Sequence, residues 1–419
     1  MTTYKSVLHN RSLIILGLSE SVSNIGNWIT MMAVFAMIVF SGKGSVAQSS
    51  GIFLAGLLPT LFFSPAAGWL CDHLDRKWLM IASELTSGLI IAGIIVTQRL
   101  EFIYFLLALQ SISTSIMSPA RQSVVPDVVL REDLTGANAF LQQLSSLIKI
   151  AAPILAGALL TIMNPHQAVI LDVISFILSA AILTFLPSLP PHQSPAVDIT
   201  YRQTKRVSSA GILSTLKGSP RLSLLIMLEL LAVVIFIGFD VLAPIYIRDV
   251  MGGNESLFGS AIGLVGLGSL ISTLVLVLRR HPQNPWRDVL TGLVLLGAIP
   301  ASMSLGDVLK GGTAAIPLIA AGCLIGGVGN GLLNIQAATL LQLLSPAELL
   351  GRMGGVFQSA MVAGQLAGIM ITPLIVPALL PMGMYFIASS LAVVVLVMLT
   401  AIILMLTRSV PGKVGAAGN

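Results

Sequence analysis

Six ionisable residues fall inside long apolar stretches of this chain: Glu20, Glu84, Lys149, Asp172, Glu229 and Asp240. A charge placed in hydrocarbon costs roughly 2.5–3.5 kcal/mol on insertion scales, so each is a candidate for binding or moving a charged species. Spacing sorts them. Glu229, Val233, Phe236 and Asp240 recur at helical intervals, which sets two acids on one stripe about 16 Å apart along the axis. Glu20, Asn24, Asn27 and Met31 form a second such stripe, and Gln142, Ser146, Lys149 and Pro153 a third. The chemistry open to such residues is reversible protonation, because burial and neighbouring charge move a carboxyl between its two forms. Glu20 and Glu229 are the leading proton-holding acids and Asp240 a third. Lys149 is expected to act as a switching counter-ion, or to tie its helix to Glu20. Asp172 reads as an interface hydrogen-bonding group, and Glu84 as the partner of a cation such as Arg121. No nucleophile–base pair and no metal-ligand set is recognisable, so the sequence predicts no enzyme, no metal and no cofactor.

The elements that must hold these residues follow from composition. Of 419 residues 55% are hydrophobic and 9% charged, and the mean hydropathy is +0.95. Apolar runs of about 20 residues recur throughout, each long enough to cross about 30 Å of hydrocarbon. They are too long and continuous for barrel strands, and a spanning backbone must satisfy its polar groups internally, which leaves helices. Spans are predicted at 12–40, 49–70, 77–97, 101–120, 136–163, 167–187, 221–248, 256–279, 288–305, 313–341, 352–379 and 382–407. The fold class is therefore an all-α membrane protein of twelve transmembrane helices. The longest hydrophilic stretch, 188–220, carries Pro190, Pro191, Pro195, Arg202, Lys205 and Arg206 at the centre of the chain. It is expected to link two pseudo-symmetric six-helix bundles, 1–187 and 221–419, as in transporters built from repeats. The halves echo weakly: Arg11 precedes Glu20 in the first, and Arg221 precedes Glu229 in the second.

The net charge of +5 does not point to nucleic acid, because position explains it. With both termini cytoplasmic, only Lys43, Arg99, Arg248 and Lys310 of the 22 basic residues fall in loops on the opposite side. That asymmetry is the positive-inside pattern, and it puts Arg121 in a cytoplasmic loop. The first apolar segment is a full span containing Glu20, Asn24 and Asn27, so no cleavable signal peptide is apparent. The run Gly326-Gly327-Val328-Gly329-Asn330-Gly331 lies within a span and follows no strand, so helix packing is expected there rather than a phosphate loop.

After the second span comes Gly68-Trp69-Leu70-Cys71-Asp72-His73-Leu74-Asp75-Arg76-Lys77. A carboxylate at Asp72 suits a helix N-terminus, and Gly351-Arg352-Met353-Gly354-Gly355 offers one together with a cation. Gly68, Asp72, Arg76, Lys77 and Arg352 are therefore read as a cytoplasmic latch between the halves. The loop resembles the signature of the major facilitator superfamily, with His73 and Asp75 as departures. The resemblance extends to the branch of macrolide-efflux proteins and enterobactin exporters. It is carried by Ser23-Asn24-Ile25-Gly26-Asn27-Trp28, by Pro119-Ala120-Arg121-Gln122-Ser123-Val124-Val125-Pro126-Asp127, by Arg131-Glu132-Asp133-Leu134 and by Gly351-Arg352-Met353-Gly354-Gly355-Val356-Phe357.

That resemblance implies the major facilitator fold, with spans 1, 4, 7 and 10 around a central cavity. It also implies export of a small molecule by alternating access, driven by proton entry. Drug-sized pockets are mostly apolar with a few placed polar groups. The cavity candidates are Asn24, Asn27, Trp28 and Met31 in span 1, Gln110 in span 4, Phe236 and Phe239 in span 7, and Asn330 and Asn334 in span 10. The expected function is antiport of amphiphilic, macrolide-like compounds (multidrug efflux) by a monomer in the cell membrane. Its partners would be a small molecule, a proton and the lipid bilayer, with no nucleic acid. A dedicated siderophore or metabolite exporter is the alternative within transport, and a non-transporting receptor or assembly subunit the alternative outside it.

Overall fold

The computed structural model describes residues 10–41, 44–97, 99–129, 133–189, 215–278, 284–309, 314–345 and 350–408. No strand occurs among them. Twelve helices are long and apolar enough to span a membrane. In the first half these are α1 (Arg11–Phe40), α2 (Val46–His73), α3 (Arg76–Ile95), α4 (Leu100–Val128), α5 (Leu134–Leu159) and α6 (Pro165–Leu183). The second half holds α7 (Pro220–Asp249), α8 (Glu255–Leu278), α9 (Pro285–Val308), α10 (Ala315–Leu344), α11 (Leu350–Ile375) and α12 (Met382–Arg408). Every predicted span finds its helix. Much of the central stretch 188–220, including Arg202, Lys205 and Arg206, lies outside the described residues.

Helix starts follow local chemistry. Asn10 Oδ1 accepts from Leu13 N at the head of α1, and Asp75 Oδ1 accepts from Lys77 N at the head of α3. Ser45 with Gln48, and Asn164 with Gln167, form reciprocal capping boxes, the latter followed by Pro165. Such caps satisfy backbone donors that have no partner within the helix.

Two helices are broken, each by a proline. α4 consists of Leu100–Thr114 and Met117–Val128, and the break falls where the Pro119 ring would meet the carbonyl four residues earlier. α9 breaks at Gly297, just ahead of Pro300 for the same reason. The second piece of α4 corrects the sequence reading, which ended span 4 at 120 and set Arg121 in a loop. Arg121 is helical.

Contacts divide the chain into two compact units, 1–197 with 241–266, and 198–240 with 267–419. This differs from the division at 188–220, because the end of α7 and the first half of α8 cluster with the first unit. Within that unit α1 packs along α6 and α5, α3 along α6 and α4, and α2 along α4. One core cluster gathers Leu13, Leu16, Cys71, Met80, Val124, Leu141 and Leu183 from all six helices. The unit also contains a clamp. Arg248, near the end of α7, donates to the backbone carbonyls of Val39 and Gly44, and Ser49 Oγ donates to Val241 O at 2.7 Å. α8 lies against α5 there, with no room for a side chain at Gly259 beside the Pro153 carbonyl.

In the second unit α9 packs along α10 and α12, repeating the α3–α6 pairing of the first as α9–α12. Gly322 and Gly326 press on Ser302 and Ile299 of α9, and Gly331 on Ser272 of α8. The glycine-rich run is thus a helix-packing surface. Gly364 and Gly368 of α11 fit against Leu230, Val233 and Ile237 of α7. Many large apolar side chains, including Leu89, Ile162, Leu278 and Leu374, remain exposed, as lipid-facing surfaces require.

Candidate functional site

α1 presents polar groups on two faces. Glu20, Asn24 and Asn27 line a cavity of about 190 Å³, joined there by Ser23, Glu84 of α3 and Arg121 of α4. Ser83, Thr114 and Met117 complete the lining. Arg121 Nη1 donates to both carboxylate oxygens of Glu20, at 2.6 and 2.7 Å. Both side chains are about a quarter exposed, at 27% and 21%. Gln110 Nε2 donates to Asn27 Oδ1 at 2.7 Å. The break in α4 places Arg121 on this cavity, because the second helical piece begins a turn before it.

The other face of α1 carries Ser19, Ser23, Gly26 and Thr30, at helical spacing. It packs against acids and hydroxyls of α3 and α6. Ser19 Oγ and Ser179 Oγ lie 2.7 Å apart, and Ser179 Oγ also donates to Ser19 O at 3.1 Å. Ser23 and Ser179 hydrogen-bond the Glu84 carboxyl, and Asp172 and Glu20 are its neighbouring carboxyls. Gly26 abuts Asp172 and Ser175 so closely that a Cβ there would overlap both. Ser175 Oγ donates to Asp172 Oδ1 at 3.1 Å. Glu84 and Asp172 are buried, at 3% and 0% exposure. The Thr30 hydroxyl lies beside the Asp172 carboxyl, and Glu84 Oε2 and Ser87 Oγ are buried atoms without a hydrogen-bond partner.

Several sequence assignments change. Lys149 is exposed on α5, and the cation that holds Glu20 in this structure is Arg121 rather than Lys149. Glu84 was expected to pair with Arg121, but that guanidinium is engaged by Glu20. Trp28 and Met31 are half-buried on α1 and do not line the cavity.

At the 68–77 loop, the Arg76 guanidinium pairs with Asp127 of α4, and Arg76 N donates to Leu189 O at 3.1 Å. Lys77 Nζ donates to the carbonyls of Thr184 and Leu186, at 2.7 and 2.6 Å. Arg76 and Lys77 are thus bound within their own unit. Asp75, which departs from the expected glycine, caps α3 and accepts from Ser188 Oγ at 2.7 Å. Burial pushes its carboxyl up, but the Ser188 hydroxyl and backbone N–H groups outweigh this and hold it below the usual value. The surroundings of Gly68 and the side-chain positions of Asp72 and Arg352 lie outside what the structure describes.

In the second unit Glu229 is 2% exposed and its Oε1 has no hydrogen-bond partner. Asp240 is half-buried. Phe236 and Phe239, with ring centroids 5.8 Å apart, line a small apolar recess with Tyr385 and Phe386. Asn334 Nδ2 donates to Asn330 O and Oδ1 at 2.8 and 2.9 Å, and Asn330 Nδ2 lies 3.5 Å from Ser269 Oγ. The amide pair thus satisfies itself within α10 and against α8. Sequence reasoning passed over the buried pair of Asp288 and Gln336, where Nε2 donates to Oδ2 at 3.0 Å between α9 and α10.

Twelve apolar helices in repeated bundles, with a charged cavity inside one of them, call for comparison with known transporters. The model of the Major Facilitator Superfamily matches residues 16–369. The chain belongs to this superfamily. Within it, the chain is 28% identical over 368 residues to the uncharacterized MFS-type transporter YfiS of Bacillus subtilis, covering 86% of this chain and 85% of that one. It is 30% identical over 166 residues to macrolide efflux protein A of Streptococcus pyogenes, covering 38% and 41%. It is 24% identical over 380 residues to the multidrug efflux pump Tap of Mycolicibacterium fortuitum, covering 86% and 88%. The molecule is therefore a multi-pass membrane transporter of the major facilitator type, with efflux proteins among its relatives, and the site described is that of a superfamily member.

Proposed function

We propose that this transporter exports amphiphilic small molecules from the cell by antiport with protons, in alternating access. The observation that carries this reading is the Glu20–Arg121 pair facing a cavity that also holds Glu84, Asn24 and Asn27. An ion pair at a cavity wall has two states. While Glu20 is ionised it holds Arg121; once protonated it loses most of that attraction, and the guanidinium is free to move. Cargo and proton then compete for one cavity, which is the requirement of an antiporter. The amides supply hydrogen bonds without fixing a charge on the cargo, which suits a range of amphiphiles. Glu229, buried in the second unit, is a second proton-binding candidate. The efflux relatives support export, and the positive-inside pattern supports a cell-membrane location with cytoplasmic termini. The protein is taken to work as a monomer.

The test uses inverted membrane vesicles with ethidium added outside as an amphiphilic probe. Energising the vesicles should drive ethidium inward, and an uncoupler should abolish it. Uptake that persists after the proton gradient collapses would rule out antiport, and no uptake of ethidium or a macrolide would favour a dedicated metabolite exporter.

A further inference from the structure

Between α1, α3 and α6, behind the cavity, runs a column of polar side chains that the Glu20–Arg121 switch does not use. It contains Ser19, Ser23 and Thr30 of α1, Glu84 and Ser87 of α3, and Asp172, Ser175 and Ser179 of α6. All but Ser175 are less than a tenth exposed. Glu84 stands at its mouth, because it lines the cavity and is bonded by Ser23 and Ser179. Asp172 is its closed end: fully buried, with the Ser175 hydroxyl on one oxygen and the Thr30 hydroxyl of α1 beside the carboxyl. Gly26 leaves the space that Asp172 and Ser175 fill.

Charge count gives the column its meaning. Glu84 has both Glu20 and Asp172 as neighbouring carboxyls, and the cation beside them is Arg121, which Glu20 occupies. The other described basic groups on these helices are engaged or distant. Arg76 and Lys77 bind Asp127 and the end of α6, and Arg11 and His166 sit in the first turns of α1 and α6. Two further carboxylates with no cation, held among hydroxyls inside a membrane helix bundle, cost several kcal/mol if both are ionised. A proton shared between them leaves one buried charge in place of two and lowers that cost.

We propose that Glu84 and Asp172 form an internal proton-holding site, filled from the cavity through Glu84 and the Ser23 hydroxyl, which keeps the transported proton while Glu20 is ionised and paired with Arg121. This deepens the antiport reading and rests on it. A proton from cavity water adds to the Glu84 carboxylate. Transfer to Asp172 leaves Glu84 ionised again, and any hydroxyl that passes a proton on accepts another, so none is left charged. Release reverses the sequence when the cavity opens to the side of lower proton concentration. Asp172 is a positioning and storage group, because it touches neither the cavity nor the cargo.

The experiment uses the full-length protein in proteoliposomes, with ethidium as probe and the membrane potential clamped. Two quantities are read: ethidium accumulation driven by an imposed pH difference, and ethidium counterflow, which needs no net proton movement. Exchange of one proton per dye yields about tenfold accumulation per pH unit. For Asp172→Asn and Glu84→Gln the ratio of driven accumulation to counterflow should fall about tenfold, and Asp172→Glu should restore it in part. An infrared difference spectrum of wild type minus Asp172→Asn, or minus Glu84→Gln, should show a protonated-carboxyl C=O band at pH 7. Driven accumulation undiminished in both neutral variants would overturn the proposal while leaving antiport intact. So would the absence of that band from both difference spectra. Wild-type accumulation that ignores the pH difference would instead remove antiport itself.

Discussion

At the residue scale the decisive contact is that between Glu20 and Arg121. Replacing Arg121 with Gln leaves Glu20 beside the cavity without its cation, so the acid loses the partner that makes its protonation a switch. Gradient-driven ethidium efflux by this variant should drop about tenfold or more, with Arg121→Lys keeping part of it because the charge remains but the two-oxygen grip weakens. Arg76 makes a contrasting case, since it is buried against Asp127. Breaking a buried pair from one side costs about 3–5 kcal/mol, and the 22% exposure of Asp127 argues for the lower end. Arg76→Ala should therefore lower the melting temperature in detergent, and adding Asp127→Ala should recover part of the loss.

Glu20, Asn24 and Asn27 were legible because their period marks a single helix face, and the structure puts all three on the cavity. Arg121 was not, because Pro119-Ala120-Arg121-Gln122-Ser123 reads as polar, proline-led chain once the apolar run ends. Glu84 and Asp172 were visible as buried acids, but nothing in either segment tells that α3 and α6 meet beside α1. That information lies in packing between residues 88 positions apart in sequence.

At the element scale, α4 is the helix whose shape matters most. Pro119 interrupts it and lets the second piece start with its own geometry. Replacing Pro119 with Ala should permit a continuous helix and rotate Arg121 away from Glu20. The expected signature is gradient-driven efflux reduced about tenfold with a melting temperature equal to or above wild type. A fall in both would mark Pro119 as a folding residue only. The capping residues behave oppositely. Ser45 and Asn164 define where α2 and α6 begin, and serine or asparagine followed three positions later by glutamine is readable from sequence alone. Helix existence was thus legible, whereas the caps at Ser45 and Asn164 lie ahead of the starts predicted at 49 and 167, and the break in α4 had its proline in plain view but no sequence signal that the helix resumed.

At the scale of the whole molecule, twelve spans followed from hydropathy, and the orientation proposed for them follows from the basic residues. A fluorescent reporter that matures only in the cytoplasm, fused to the C-terminus, should be bright, and a phosphatase active only outside should be silent there. The opposite result would invert every loop. The partition of contacts was not legible. The sequence places 241–266 with the second half, while its contacts place it with the first, because tertiary packing at the end of α7 has no signature in hydropathy.

The clamp at that end has a consequence for how the protein can diverge. Arg248 donates to the backbone carbonyls of Val39 and Gly44 rather than to their side chains. Every residue type carries that carbonyl, so substitutions at 39 or 44 that preserve the local backbone leave the acceptors in place. Of the three residues Arg248 alone makes the contact with its side chain; Val39 is constrained by its burial, and Gly44 by the Ile38 carbonyl, which leaves no room for a side chain.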